Sequence, residues 1–439
     1  MSIVFKKIIP SMIYVCLFIT LIIFAIEELS EYFAYSNIYF FKPSISIYFF
    51  IYFFSLLPIP FLPRFLKLPS DYILVFIYVL TYIPAIVVPF FLIEKNLLNN
   101  EYILFLFVFF LCFVFLLIRK PDKKRNIILS LIKKLNIYWF NFSLFLIYLI
   151  STIVFIINFG FNFEVPSLLD VYDVRLQYRE VVSDSLFSAY MVGWMAYIIN
   201  IFTFLRGVQT KNIFLIIFTI VFQFYLFSLM ALKSHLAVMI LAFLIYIYLN
   251  REIQFKSSTF IKLTFIAFSS FFLIDLFTST TLTQALITRR ILIVPAQLTY
   301  YHFEFFNENV KTFWSYNIFS IFSDYNYNLS PPKLIGDIYF NKPEMTAVVN
   351  IFMEGYTAFG YFGVFLVTFI LKFFLNILDD VFLYKSKSNN MMLVSSIILA
   401  YSLSSSSILT VILTHGLLIL IILFTLYPNN KSISLKGSL

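Results

Sequence analysis

Apolar positions in this chain run on without interruption for about 20 residues at a time, and polar residues gather in the short stretches between them. That pattern predicts transmembrane helices. A hydrocarbon core about 30 Å thick is crossed by about 20 mainly apolar residues at a rise of about 1.5 Å each. The runs place spans near 8–26, 44–62, 72–93, 102–118, 138–158, 186–205, 212–230, 235–249, 263–282, 351–371, 391–406 and 408–427. The last two require a tight turn at Ser404 to Ser407, because a single long span there would move the C-terminus to the other side. The expected fold class is all-α, a polytopic transmembrane helical protein of about 12 spans, with residues 1–439 forming a single membrane domain. Glu27 and Glu28 follow the first run where a cleaved signal would have small residues, so no cleavable leader is expected.

Composition agrees with a lipid solvent. Of 439 residues 62% are apolar and only 12% charged, whereas soluble domains carry roughly twice that charge. The 60 Phe suggest bulky filler facing lipid. Cys16 and Cys112 both fall inside apolar runs, where a thiol behaves as a small hydrophobe, and a zinc site would need more ligands at closer spacing. The net charge of +9 comes from short basic clusters between apolar runs rather than from one basic face, which argues against nucleic acid as a partner. No GxGxxG, GxxxxGK[ST] or HExxH occurs, so nucleotide-binding and zinc-hydrolase readings have no footing.

The basic clusters give an orientation, since Lys and Arg are retained on the cytoplasmic side. With the N-terminus inside, Lys6, Lys7, Arg64, Lys67, Arg119 to Arg125, Arg206, Lys211, Arg251, Lys256 and Lys385 all fall inside. Most acids fall outside. Both termini are therefore expected in the cytoplasm, in a multi-pass membrane protein.

Two outer loops, about 159–185 and 283–350, exceed the length of simple connections, and loops of that size are usually functional or disordered. Interleaved aromatics suggest order. Cations that remain on the outer face need a reason. Arg175 and Arg179 are four apart, which puts both guanidiniums on one face of a helical segment, where they could grip a pyrophosphate or else pair with Asp173, Glu180 or Asp184. Arg289 and Arg290 follow the ninth span and precede Pro295, where an interruption could let the segment re-enter the membrane against a cavity. Lys233 is a third positive centre, or a side chain that snorkels to the interface.

Four segments, MALKSH, RRILIVPAQ, PPKLIGDIYF and VNIFMEGYTAFGYFG, stand in an order and topology that resembles the O-antigen polymerases, the Wzy-type oligosaccharide repeat-unit polymerases. By motif the resemblance covers roughly residues 160 to 375. One pattern departs from it: Leu186 stands where an Arg-x10-Gly motif starting at Arg175 requires glycine. The resemblance implies a metal-independent and cofactor-free glycosyltransferase acting on the periplasmic face. Its partners would be the bilayer, a polyprenyl-pyrophosphate-linked oligosaccharide and a possible chain-length regulator. A pyrophosphate leaving group gathers negative charge that Arg175, Arg179, Lys233, Arg289 and Arg290 could neutralise. His302, Glu304 and Asp324 are candidate bases for the acceptor hydroxyl, with Asp337 and Glu354 next. Tyr300, Tyr301 and Tyr325, together with Trp314, Tyr316 and Tyr327, could stack on sugar rings or belong to the interfacial aromatic belt. An O-antigen ligase would want a His-rich outer loop, where His302 stands alone. A lipid-linked oligosaccharide flippase would want two matching halves, and no repeat is visible.

Overall fold

The computed structural model describes residues 2–93, 100–118, 136–161, 174, 178, 185–251, 255–316, 318–321, 324–385 and 390–428. Among these, nine helices are long and apolar enough to cross a membrane, and three shorter apolar helices, Ile45–Phe61, Lys233–Leu249 and Asn390–Leu403, accompany them. The protein is an all-α polytopic membrane protein. In chain order the helices are α1 Ser2–Phe33, α2 Ile45–Leu56, α3 Pro69–Leu92, α4 Asn100–Leu117, α5 Ile137–Phe159, α6 Phe187–Thr210, α7 Ile213–Met230 and α8 Lys233–Leu249. They continue as α9 Ser257–Thr278, α10 Val294–Glu308, α11 Pro331–Phe340, α12 Ile351–Lys385, α13 Asn390–Leu403, α14 Ile408–Leu413 and α15 Leu417–Leu426. Local signals set many of the ends. Asn212 and Ser407 accept from backbone N–H groups at the starts of α7 and α14, and left-handed residues Lys211, Ala231 and Ser279 close α6, α7 and α9.

Contacts at the helix ends separate two faces of the bundle. On one, Leu66 N–H donates to the Phe255 carbonyl (2.7 Å) and Asn390 to Asn250 (2.6 Å), and Arg64, Lys67 and Lys256 stand around the Phe65 ring at 4.9, 6.0 and 5.9 Å. On the other, loop-rich end, Gln284 donates to Glu28 (2.7 Å) and Gln297 to the Asn37 carbonyl (2.8 Å), while Phe41 N–H meets the Phe91 carbonyl (2.8 Å).

Phenylalanine is not only lipid-facing filler. Phe18, Phe91, Phe105, Phe109, Phe113, Phe155 and Phe202 are fully enclosed, and a chain of ring contacts joins α3, α4, α10 and α12 through Tyr82, Phe109, Phe105, Tyr102 and Phe303. Lipid tails are as apolar as a side chain, so helices in a bilayer gain from close van der Waals packing, and large flat rings in edge-on contact supply it.

A buried polar network crosses α5 to α8. Tyr148 OH donates to Asn200 Oδ1 (2.8 Å), and Asn200 Nδ2 donates to Gln223 Oε1 (2.6 Å) and to the Thr219 carbonyl (2.9 Å). Gln223 Nε2 in turn reaches the carbonyls of His235 (2.8 Å) and Ala196 (3.2 Å). Asn200→Leu strands the Gln223 carbonyl oxygen, at about 1–3 kcal/mol, and leaves Tyr148 OH with Thr203 alone. The expected result is a melting temperature in detergent clearly below that of the parent, and an unchanged one would mean that the network carries little stability.

The tenth span is corrected by the structure. Phe359 (φ −142°) and Gly360 (φ 63°, ψ −145°) break α12, so the spanning part starts near Tyr361 and not at Ile351. The expected interruption at Pro295 is corrected too. Helix continues through it, because Pro295 sits in the first turn of α10, directly after a π-helical stretch, Gln284–Ile293, whose wider hydrogen bonding leads into it. The turn at Ser404 to Ser407 is present, and a second break at Thr414 to Gly416 (φ 85° at Gly416) separates α14 from α15.

Candidate functional site

The break in α12 makes a helical hairpin. Gly355 and Gly363 face each other so closely that a Cβ on Gly363 would stand 1.8 Å from the Gly355 carbonyl oxygen. Along α4, the Phe352 ring lies 4.5 Å from that of Phe109, midway down the helix, and Tyr361 OH reaches the Glu101 carbonyl (3.4 Å) at its start. Residues 351–358 are thus a half-helix that rises from the middle of the bundle to the loop-rich end. Asn350 starts it, accepting from Phe352 N–H (3.0 Å) and Met353 N–H (3.1 Å) while donating to Thr299 (2.9 Å). Its last carbonyls, Thr357 and Ala358, accept from Thr312 N–H (3.1 Å) and Phe313 N–H (3.0 Å). Irregular backbone at such depth is tolerated where protein or a cavity surrounds it. Lys311 clamps the hairpin from outside, its ammonium 4.5 Å from the Tyr356 ring and hydrogen-bonded to the Phe306 carbonyl. Burial holds its pKa down to about 8, against the opposing charge of Glu101.

Beside the hairpin lies a cavity of about 250 Å³. The half-helix contributes Glu354 and Thr357, α10 contributes His302, α6 contributes Tyr190, and the broken segment around α14 contributes Ser406, Ser407 and Thr410. Glu354 is 6% exposed; its Oε1 accepts from Trp314 Nε1 (2.6 Å) and Tyr316 OH (3.3 Å), and its Oε2 has no hydrogen-bond partner among the described residues. The carboxylate lies beside the Ile408 N–H. His302 is 1% exposed and sits between the Ala347 carbonyl (2.9 Å from Nε2) and Thr357 Oγ1 (3.4 Å from Nδ1). A carbonyl can only accept, so Nε2 carries the proton and Nδ1 faces the threonine hydroxyl. In the same lining Ser406 bonds His415 Nε2 (2.9 Å) and Ser407 bonds Thr410 (2.8 Å). Gly193 permits the approach of α6, since a Cβ there would stand 2.7 Å from the Thr414 carbonyl oxygen.

Of the three bases expected first, the structure brings only His302 to this cavity. Glu304 instead accepts from Tyr339 OH (2.8 Å) and Tyr300 OH (3.3 Å), and Asp324 is exposed on the loop before α11. Asp337 lies within α11, and Glu354, held in reserve from the sequence, is at the centre of the cavity wall. Arg175 and Arg179 lie outside the described residues. Lys233 is exposed in the first turn of α8, next to Ser234, whose hydroxyl is 3.3 Å from Tyr197 OH. Arg289 packs its guanidinium over the Phe33 ring (4.1 Å) and donates to the Ala285 carbonyl (3.3 Å). Arg290 is exposed, within electrostatic range of Tyr401 on the last turn of α13 before the serine run.

Two of the tyrosines expected to stack on sugar pack against other rings. Tyr300 is 1% exposed, edge-on to Tyr102 at 5.1 Å, and the half-buried Tyr301 has one ring face stacked on Tyr339 at 4.3 Å. Tyr325 keeps to its own loop, donating to the Leu329 carbonyl (2.6 Å) beside Tyr316 and Tyr327. Tyr316 and Tyr190 are the phenols that line the cavity. Sequence reasoning did not select Tyr190, Thr357, Ser406, Ser407 or Thr410. The run of four serines between two apolar stretches was the available signal, and it was read only as a turn.

Among the described residues no group of three or more His, Cys, Asp or Glu is placed to hold a metal ion. Compared with protein-family models, curated proteins and solved structures, the chain matches none of them.

Proposed function

We propose that the chain is a repeat-unit polymerase: a membrane glycosyltransferase that joins polyprenyl-pyrophosphate-linked oligosaccharides into surface polysaccharide, O-antigen or capsule, at the periplasmic face of the bacterial inner membrane. The observation that carries this reading is the cavity at the loop-rich end, where a carboxylate, an imidazole, phenols and hydroxyls meet at breaks in two membrane helices. Ionisable groups inside membrane segments are costly and by default functional. Apolar surroundings shield such a site from water, and its polar groups are those that hold sugar hydroxyls. The cations around Phe65 at the opposite end support cytoplasmic placement of that face by the rule for Lys and Arg.

In this reaction an acceptor hydroxyl attacks the anomeric carbon of the donor glycan, and the lipid pyrophosphate leaves with the bonding electrons. Positive charge near that leaving group stabilises the transition state without a metal. Arg290 is suited to it, being exposed at the loop-rich end while Arg289 anchors the same turn on Phe33. Deleting the gene should leave single repeat units on the lipid core, whereas none attached would indicate a ligase and units trapped inside would indicate a flippase. With purified protein and lipid-linked repeat units in EDTA, Arg290→Ala is expected to lower the rate roughly 100-fold or more, and Arg290→Lys to retain part of it. Polymer of normal length from the alanine variant would remove Arg290 from the site.

A further inference from the structure

Within the polymerase reading, on which it rests, we infer that Glu354 is the catalytic base: its free oxygen takes the proton from the hydroxyl of the acceptor sugar, whose terminal ring occupies the cavity. Three features of the wall carry this. One carboxylate oxygen is tied down by Trp314 and Tyr316, which fixes the direction of the other, and that other oxygen is buried with no side-chain partner, the Ile408 N–H being the one backbone donor beside the carboxylate. Buried polar atoms are nearly always paired, so an orphan on a cavity wall marks a group whose partner arrives with a ligand. His302, the competing base, has each ring nitrogen facing a protein group: it donates to Ala347, and its lone pair faces Thr357. It braces the half-helix that presents Glu354.

The volume narrows the ligand. About 250 Å³ lies below the roughly 300–1,000 Å³ of pockets that enclose drug-sized molecules, and suits one sugar ring with the rest of the repeat unit outside. Ser406, Ser407 and Thr410 line the same cavity as partners for the ring's other hydroxyls. The step balances without a further reactant. The acceptor O–H proton moves to Glu354 Oε2, the acceptor oxygen bonds to the anomeric carbon, the bond from that carbon to the phosphate oxygen breaks, and the pyrophosphate leaves with its electron pair. Glu354 later returns the proton to solvent.

The test uses full-length protein in detergent with lipid-linked repeat units. Glu354→Gln keeps an oxygen for Trp314 and Tyr316, so it is expected to purify as a monodisperse protein; its kcat should fall by roughly 100-fold or more, as loss of a general base does, with KM within a few-fold. Added formate should restore part of the activity of Glu354→Ala, which a purely structural role would not allow. Parent-like kcat in Glu354→Gln, or no response to formate, overturns the assignment while leaving the polymerase reading in place. If the parent protein forms no polymer from these substrates, the reading fails and the base assignment falls with it.

Discussion

Gly363→Val is expected to leave little folded protein in the membrane and, on the polymerase proposal, to abolish polymerisation. The two arms of the hairpin meet at Gly355 and Gly363, and even a single Cβ at Gly363 would stand 1.8 Å from a backbone oxygen that has no rotamer by which to move away. Overpacking among side chains costs about 1–3 kcal/mol, and here the obstacle is backbone, so the loss should reach at least about 3 kcal/mol. Opening the hairpin would also carry Glu354 and Thr357 away from His302. Gly360, between the arms, adopts a φ and ψ essentially reserved for glycine, so relaxation of the turn is restricted as well. Phe362→Ala supplies the control, because that ring is 68% exposed to the surroundings. Yield after solubilisation, thermal unfolding and glycan length report the outcome. A Gly363→Val protein that melts like the parent would contradict the hairpin itself.

Asp275→Ala should cost about 3 kcal/mol and reduce activity together with stability. At 1% exposure this carboxylate accepts from the backbone N–H groups of Thr283 (2.9 Å) and Gln284 (2.8 Å), two of the unpaired donors at the start of the helical segment that carries Arg289 and Arg290. Hydrogen bonds to a charged group contribute about 1.5–3 kcal/mol each, and both are lost at once in alanine. The end of α9 and the arginine segment would then lose the joint that sets their angle. Asparagine is a graded test, since its carbonyl oxygen can keep one N–H while its amide, a donor, meets the other. The order parent, Asn, Ala is expected in melting temperature, and equal values for all three would show that the joint is held elsewhere.

Span positions were legible because they depend on a local quantity. A run of apolar residues must be solvated by lipid wherever its neighbours lie, so the runs beginning near Tyr72, Tyr102, Tyr138 and Asn212 agree with α3, α4, α5 and α7 to within a few residues. Caps such as Asn212 and Ser407 are equally local. The break in α12 was harder to see. Hydropathy continues through Phe359 and Gly360, and the hairpin arises from glycines brought together by packing against α4 and α10. Pro295 misled in the opposite direction, because proline at the start of a helix lacks nothing that the helix needs.

The sequence by itself determined the solvent, the helical class, the order of the spans and the faces on which its charges gather, since each follows from composition summed over short windows. It also singled out His302, and it held Glu354 among the acids next in line. Only the tertiary structure decided which candidates share a cavity. Glu304 lies two residues from His302 but turns to Tyr339 and Tyr300, while Glu354, Ser406 and Tyr190, far apart in the chain, line the same cavity as His302. The physical reason is that a helix sends neighbouring residues to different faces, and the partner each face meets is set by packing between helices, which no local window contains.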